Sequence, residues 1–525
     1  MKISQYFFTS LALLGASLQT ADRTSNLQIK KLPNAKPRNV VFILSDDHRY
    51  NYMGFLGTIP WLQTPGMDRM AKEGAYLKNA FVTTSLSSPS RASILTGLYS
   101  HQHKVIDNSA PLPENLIFFP QYLQKMGYQT AFFGKWHIGY ATGDPAPGFN
   151  HWEGMRNQGE YWAPNVNING KWTKYSDTTY VTDLLTEHAI SFIKKQNAAK
   201  KPFFVYLSHK GVHGAFSPAK RHIGCYKDKE VPIPASFNSS KEPIKVPPTY
   251  NPQTKNLAAG KDFYGKNLAG GKDFYGENMI PNWTKNQRES WHGVEKSISD
   301  IWIRDMRKYC ETLRSVDESI ISILNCLKEL RLDSSTLVIY MSDNGYAWGE
   351  HGLLDKRQFY EESVRVPLLA RCPELFKGGT EVEQMVQNVD IAPTILEAAG
   401  LGTPKQMVGK SFISLLQGKE ILWRNRIFYE YFWEYDFPQT PTTFGVRTDR
   451  YKFIRYYGIW DTNEFFDLKE DPFETKNLIG EKEYQPLIKQ LNNDLDDWLE
   501  SSGGMSIPLK RVIKPHSDHR NYLNY

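Results

Sequence analysis

Four apolar runs, each ending in a polar cluster, constrain what this chain can fold into. Val40–Leu44 leads into Ser45-Asp46-Asp47-His48, and Thr130–Phe133 into Gly134-Lys135-Trp136-His137. Phe203–Leu207 leads into Ser208-His209 and on to His213, and Leu337–Met341 into Ser342-Asp343-Asn344-Gly345. A continuous apolar run has no polar face to turn to water, so it suits a strand buried on both faces of a parallel sheet. Helical spacing lies between the runs: Tyr309, Leu313, Val316, Ile320, Leu324 and Leu327 step by three or four and make one apolar face. Strands alternating with helices predict an α/β fold with a mostly parallel sheet. Ligands of such sheets sit beyond the carboxyl ends of the strands, which is where the Asp, Lys, His and Asn residues fall.

The chain has 525 residues, more than one hydrophobic core usually serves. An α/β domain is expected over 36–415, interrupted at 241–290 by a Lys-, Asn-, Gly- and Pro-rich stretch. That stretch contains a tandem duplication, Asn256–Lys266 and Asn267–Glu277, and reads as an inserted surface loop; one duplication is too few units for a solenoid. A smaller α+β domain is expected over 420–525. There Phe444–Tyr457 alternates between apolar and polar residues, Asn463–Leu468 offers a partner strand, and Glu483–Leu499 has the spacing of an amphipathic helix.

Residues 1–20 read as an export signal, with Lys2 ahead of the apolar Tyr6–Leu18 stretch, which is short for a membrane span. A periplasmic or secreted protein without a stable membrane anchor is therefore expected. Cys225, Cys310, Cys326 and Cys372 form no disulfide framework and lack metal-ligand spacing, so all four read as core or incidental thiols. The net charge of +7 comes without a Lys/Arg-rich run, which argues against a nucleic-acid partner.

Asp46, Asp47, Asp343 and Asn344 are oxygen donors at two strand ends. Hard cations such as calcium prefer oxygen, and no His/Cys cluster accompanies these residues to favour zinc. Each pair alone could be a turn or a cap; two pairs at two strand ends favour a metal.

Ser87-Ser88-Pro89-Ser90-Arg91, continued by Leu95-Thr96-Gly97, resembles the signature of type I sulfatases, in which a Cys or Ser in (Cys/Ser)-x-Pro-x-Arg is oxidised to formylglycine. Asp46-Asp47, Gly134-Lys135-Trp136-His137, Ser208–His213, Asp343-Asn344-Gly345, Glu350-His351-Gly352 and Lys356 match further segments of that family in its order. Tyr451-Lys452-Phe453, Asp467-Leu468 and Asp471-Pro472 resemble its C-terminal region, and the wording Tyr456–Asp461 is similar to that of bacterial polysaccharide sulfatases. The resemblance spans nearly the whole mature chain. It implies an alkaline-phosphatase-like sheet flanked by helices, with a smaller C-terminal unit of antiparallel sheet and helix.

It also implies roles. Ser87, in the serine-type variant, would become formylglycine, supply the attacking oxygen and join Asp46, Asp47, Asp343 and Asn344 on a calcium ion. Arg91 would hold the modified residue, and His137 would take its proton. Lys135 and Lys356 would neutralise the sulfate, and His213 with Lys356 would protonate the leaving alcohol. His209 competes with His213 for that position and otherwise reads as a substrate contact or a structural histidine. Trp162, in the aromatic segment His151–Tyr175, is a candidate sugar contact, as is the Phe432–Tyr435 group. Aromatic-rich loops also pack as core caps. His101 and His103 read as ordinary polar residues. The implied reaction is hydrolysis of sulfate esters on a carbohydrate, and the implied partner is a serine-type formylglycine maturation enzyme. Two alternatives stay open: a phosphodiesterase or phosphonate hydrolase of the same superfamily, and a sulfated-glycan binding protein whose Ser87 is never oxidised.

Overall fold

The computed structural model describes residues 27–508 apart from 34, 238–278, 280, 282, 285–299, 435–436, 438 and 458–460. The 1–20 leader and the 256–277 duplication lie outside the described residues. Among the described residues the main sheet has ten strands. They run in the order Thr380–Val382, Ala75–Leu77, Leu368–Arg371, Leu337–Ser342, Val40–Ser45, Phe203–Ser208, Gln129–Lys135, His151–Met155, Asn165–Ile168 and Lys171–Lys174. The five strands from Leu337–Ser342 to His151–Met155 are mutually parallel. All four apolar runs are therefore neighbours, with their polar ends on one side of the sheet.

Alternate side chains of the central strand enter different cores. Val40, Phe42 and Leu44 join the cluster that includes the signature helix Ser87–Thr96. Val41 and Ile43 join the cluster built on the helices Val181–Ala198 and Asp300–Glu329. Both faces of the strand are dry, which explains its uninterrupted apolar run. The periodic helix read from Tyr309 to Leu327 extends further at both ends, over Asp300–Glu329.

The C-terminal antiparallel sheet has four strands, Arg426–Tyr431, Thr442–Thr448, Tyr451–Tyr457 and Glu464–Asp467. The helix Gln485–Ser502 packs on it. The alternating stretch Phe444–Tyr457 is a hairpin rather than one strand, broken at Asp449-Arg450. Alternation continues through a tight turn, so period alone does not reveal the break.

This sheet shares a continuous apolar core with the main sheet, and the Phe359 and Tyr429 rings stack at 4.4 Å across the junction. Charges are buried there too. The Lys452 ammonium lies 2.9 Å from Glu361 and 2.7 Å from Glu474. Glu464 accepts hydrogen bonds from Tyr360 and Tyr456, and burial pushes its pKa up to about 8.

The raised value has a consequence for stability. Between the ordinary carboxylate pKa and about 8, the folded chain keeps a proton on Glu464 that the unfolded chain has lost. Stability from this group is therefore greatest at low pH, falls as pH rises and levels off above about 8. The expected slope is about 1.4 kcal/mol per pH unit for one such proton. Urea unfolding from pH 5 to 9 should show a shallower decline for Glu464→Gln than for wild type; equal slopes would reject Glu464 as the cause.

Candidate active site

The parallel strands deliver the polar residues to one place. Asp46 and Asp47 follow the central strand, Asp343 and Asn344 its neighbour on one side, and His209 to His213 its neighbour on the other. Backbone hydrogen bonds tie these ends together: Asp46 N donates to Gly211 O at 2.9 Å and Val212 N to Asp46 O at 2.7 Å. Asp47 N donates to Asp343 Oδ1 at 3.1 Å. Gly134, with φ of 115°, lets the Gln129–Lys135 strand approach its neighbour, because a Cβ there would lie 1.8 Å from Ser208 O. Asp47 and His137 take left-handed backbone, with φ of 57° and 52°. Non-glycine residues adopt that conformation rarely, and such strain concentrates at functional sites.

Ser87 opens the buried helix Ser87–Thr96, and its Oγ stands 3.5 Å from Asp46 Oδ1. Pro89 falls in the first turn, where its missing N–H breaks no helical bond. Gly97 ends the helix with φ of 68° and donates to Ser93 O at 2.9 Å. Arg91 projects from the helix into the site. Its Nε donates to Asp343 Oδ2 at 2.9 Å, and its Nη1 to Lys135 O at 2.6 Å and Ser208 Oγ at 2.8 Å. Its Nη2, 3.7 Å from Asp46 Oδ1, is a buried donor with no hydrogen-bond acceptor among the described residues.

The charges are paired in a definite pattern. Lys135 Nζ contacts Asp46 Oδ2, and Lys356 Nζ lies 2.7 Å from both oxygens of Asp47. His213 Nε2 is 3.8 Å from Asp47 Oδ2. Burial opposes the Asp46 carboxylate, yet Lys135, His213 and Arg91 hold its pKa well below the usual range. Asp343 is pushed up to about 7, by burial first and then by the charge of Asp46. Burial also lowers Lys135 to about 8. Burial and the nearby Lys135 hold both His137 and His213 well below the ordinary histidine value.

The donor set suits a hard cation. Asn344 donates through Nδ2 to Asp47 Oδ1 at 2.7 Å, while its Oδ1 is buried without a hydrogen-bond donor among the described residues. An orphaned carbonyl oxygen beside three buried carboxylates is a poor arrangement for protein alone and a good one for a divalent ion with oxygen ligands. Asp46, Asp47 and His213 also place ligand atoms within 4.8 Å of one another.

A family profile described as Sulfatase matches residues 38–401. The chain belongs to the sulfatase family. A second profile, described as N-sulphoglucosamine sulphohydrolase, C-terminal, matches residues 349–501 of this sulfatase. The sulfatase is 32% identical to an N-acetylglucosamine-6-O-sulfatase of Bacteroides thetaiotaomicron, over 88% of this chain and 86% of the relative. It is 26% identical to a multifunctional alkaline phosphatase superfamily protein of Trinickia caryophylli, over 88% of this chain and 95% of that one. A solved structure described as in complex with its substrate D-glucosamine-2-N,6-O-disulfate superposes with a TM-score of 0.75 at 31% identity, covering 90% of this chain and 99% of the other. As a family member the protein is a sulfuric ester hydrolase.

In this sulfatase Asp46, Asp47, Ser87, Arg91, Lys135, His137, His213, Asp343, Asn344 and Lys356 converge as described. His209 does not join them. It is fully buried, its Nε2 is 3.0 Å from Ser319 Oγ on the Asp300–Glu329 helix, and burial lowers its pKa to about 3. This corrects the substrate-contact reading of His209 in favour of the structural one: one residue past the strand, its ring turns into the core.

The aromatic segment His151–Tyr175 is also not the loop its Asn and Gly content suggested. It holds three strands that extend the main sheet. Trp152 is core, stacked on Phe132 at 4.6 Å. Tyr161 is buried and donates to His213 O at 2.7 Å. Trp162 stays half-buried, with Nε1 3.2 Å from Ser217 Oγ. In the second aromatic group Phe432 is core and Trp433 is 48% exposed, while Tyr435 lies outside the described residues.

His101 and His103 are buried rather than ordinary polar residues. His103 Nε2 is 3.1 Å from Ser93 Oγ of the signature helix. His101 Nδ1 is 2.7 Å from Glu430 Oε2 of the C-terminal sheet. Two neighbours of the site were given no role by the sequence. Gln158 Nε2 is 3.2 Å from His137 Nε2, and the Lys210 ammonium sits over the Tyr161 ring. Gln158 lies outside every matched segment, and Lys210 lies inside the Ser208–His213 segment without a role of its own there.

Proposed function

We propose that this sulfatase is exported and removes the 6-sulfate from glucosamine or N-acetylglucosamine residues of a glycan, using formylglycine made from Ser87 and a calcium ion. The observation that carries the substrate is the 32% identity, over most of both chains, to an N-acetylglucosamine-6-O-sulfatase. The apolar leader supports export, and no helix among the described residues is long and apolar enough to cross a membrane.

Asp46, Asp47, Asp343 and Asn344 would hold the ion, together with residue 87. Bound there, calcium would supply positive charge at the sulfate site, and the hydrate of formylglycine would supply the attacking hydroxyl. The chain's own residues do the rest. Ser87 stands at a helix N-terminus, where backbone N–H groups favour negative charge. Arg91 keeps one unshared donor, Nη2, 3.7 Å from Asp46 Oδ1. His137 is neutral at working pH and so able to accept a proton. Lys135 and Lys356 place two cations against the sulfate region. His213 is also held neutral, so its service as an acid depends on the substrate: an anionic sulfate beside it favours the imidazolium and raises its pKa. Trp162 is proposed as a sugar contact at the rim. A serine-type maturation enzyme is required, because unmodified Ser87 is only an alcohol.

The test is turnover of 6-sulfated N-acetylglucosamine by protein whose Ser87 peptide carries the formylglycine mass. Turnover of 3- or 4-sulfated sugars instead would reject the 6-sulfate reading. The likeness to the multifunctional alkaline phosphatase superfamily protein favours a second reading, hydrolysis of phosphate or phosphonate esters. Aryl sulfate and aryl phosphate assayed side by side separate the two, and faster phosphate turnover would favour the second.

Stripping the protein with a chelator should reduce turnover by at least about 10²-fold, with calcium restoring it. Full activity in protein shown to be metal-free would reject the ion.

A further inference from the structure

Lys210 is a buried cation for which neither the sequence motif nor the ion pairs of the site account. It is 5% exposed, yet its ammonium forms no hydrogen bond or ion pair among the described residues. The ring of Tyr161 lies beneath it, its centroid 4.9 Å from the nitrogen. The contrast with the other lysines of the site is instructive: Lys135 is engaged by Asp46 and Lys356 by Asp47. An ammonium on a largely buried side chain with no protein acceptor depends on water or a ligand for its missing partners.

The position is built. His213 N donates to Lys210 O at 3.0 Å, closing a turn, and Gly211 and Val212 pair with the Asp46 backbone. Tyr161 supports both residues, holding His213 O through its hydroxyl and the Lys210 ammonium over its ring. From there Lys210 feels the charges of Asp46, Asp47 and Glu160 attractively and that of Lys356 repulsively, which puts it beside the charges of the site. Burial draws its pKa below the ordinary lysine value, the direction expected of an ammonium short of counter-charge.

We propose that the Lys210 ammonium contacts the sulfate group of the substrate directly, as a third cation of the anion site beside Lys135 and Lys356. Tyr161 positions it without neutralising it, because a ring face attracts a cation but accepts no strong hydrogen bond. The proposal rests on this centre being the sulfate-ester site.

The experiment compares Lys210→Met, Lys210→Gln and Lys210→Arg in matured, calcium-loaded protein, with formylglycine content, calcium content and unfolding temperature measured for each. The probes are 6-sulfated N-acetylglucosamine as substrate and inorganic sulfate as inhibitor. Lys210→Met should lower kcat/KM on the order of 10²-fold and weaken sulfate inhibition at least about tenfold, and Lys210→Arg should recover most of both. Lys210→Gln replaces the Met variant should that one fail to fold. A folded, fully modified, calcium-replete neutral variant with sulfate inhibition within about twofold of wild type overturns the proposal, even with kcat lowered, because Lys210 would then act through its neighbours. Failure of the parent reading looks different: matured wild type itself would neither turn over a sulfate ester nor be inhibited by sulfate.

Discussion

Ser87→Ala protein is expected to fold normally and to hydrolyse 6-sulfated N-acetylglucosamine at least about 10⁴-fold more slowly than matured wild type. The substitution removes one oxygen, 3.5 Å from Asp46 Oδ1, and leaves the buried Ser87–Thr96 helix otherwise intact. A single weak hydrogen bond is worth no more than about 1 kcal/mol, so unfolding in urea should change little. The whole effect should appear in turnover, since an alanine can be neither oxidised nor made a nucleophile. Turnover within tenfold of wild type would remove residue 87 from the chemistry. Unmodified wild type from a host lacking the maturation enzyme should match the alanine variant, which separates the need for the oxygen from the need for its oxidation.

Arg91→Met should have the largest effect on the fold. The guanidinium is fully buried and answers Asp343, the Lys135 carbonyl and Ser208 at once. Removing one partner of a buried charge pair leaves the other uncompensated, a loss of about 3–5 kcal/mol. Asp343 already has a pKa near 7 with the guanidinium in place, and without it the carboxyl would be held further toward the neutral form, a poorer metal ligand. Urea unfolding and calcium titration should therefore both register the change. Arg91→Lys keeps the charge but not the planar fork, and should recover part of the stability and little of the activity. A variant as stable as wild type that still binds calcium would show that the arginine network is dispensable.

How much of this was legible in the sequence depended on whether the cause was local. The four apolar runs read correctly as strands because burial on both faces leaves a continuous pattern, and their polar ends converge because parallel strands present their carboxyl ends together. The segment His151–Tyr175 misled because its strands are short and lie at or near the sheet edge, where neighbours rather than composition decide pairing. His209 and His213 could not be ranked from spacing. They lie four positions apart, and only the turn of the chain after Ser208 sends one ring to Ser319 and the other toward Asp47.

By itself the sequence determined four buried parallel strands, the signature segment with Ser87 and Arg91, and the oxygen donors at two strand ends, because these rest on periodicity and motif. Only the tertiary structure decided which charges are answered and which are left over. It engages Lys135 and Lys356 with aspartates, withdraws His209 into the core, and buries Lys210 over a tyrosine ring. The reason is physical. Burial and distance set the strength of a charge interaction, and both belong to residues far apart in the chain.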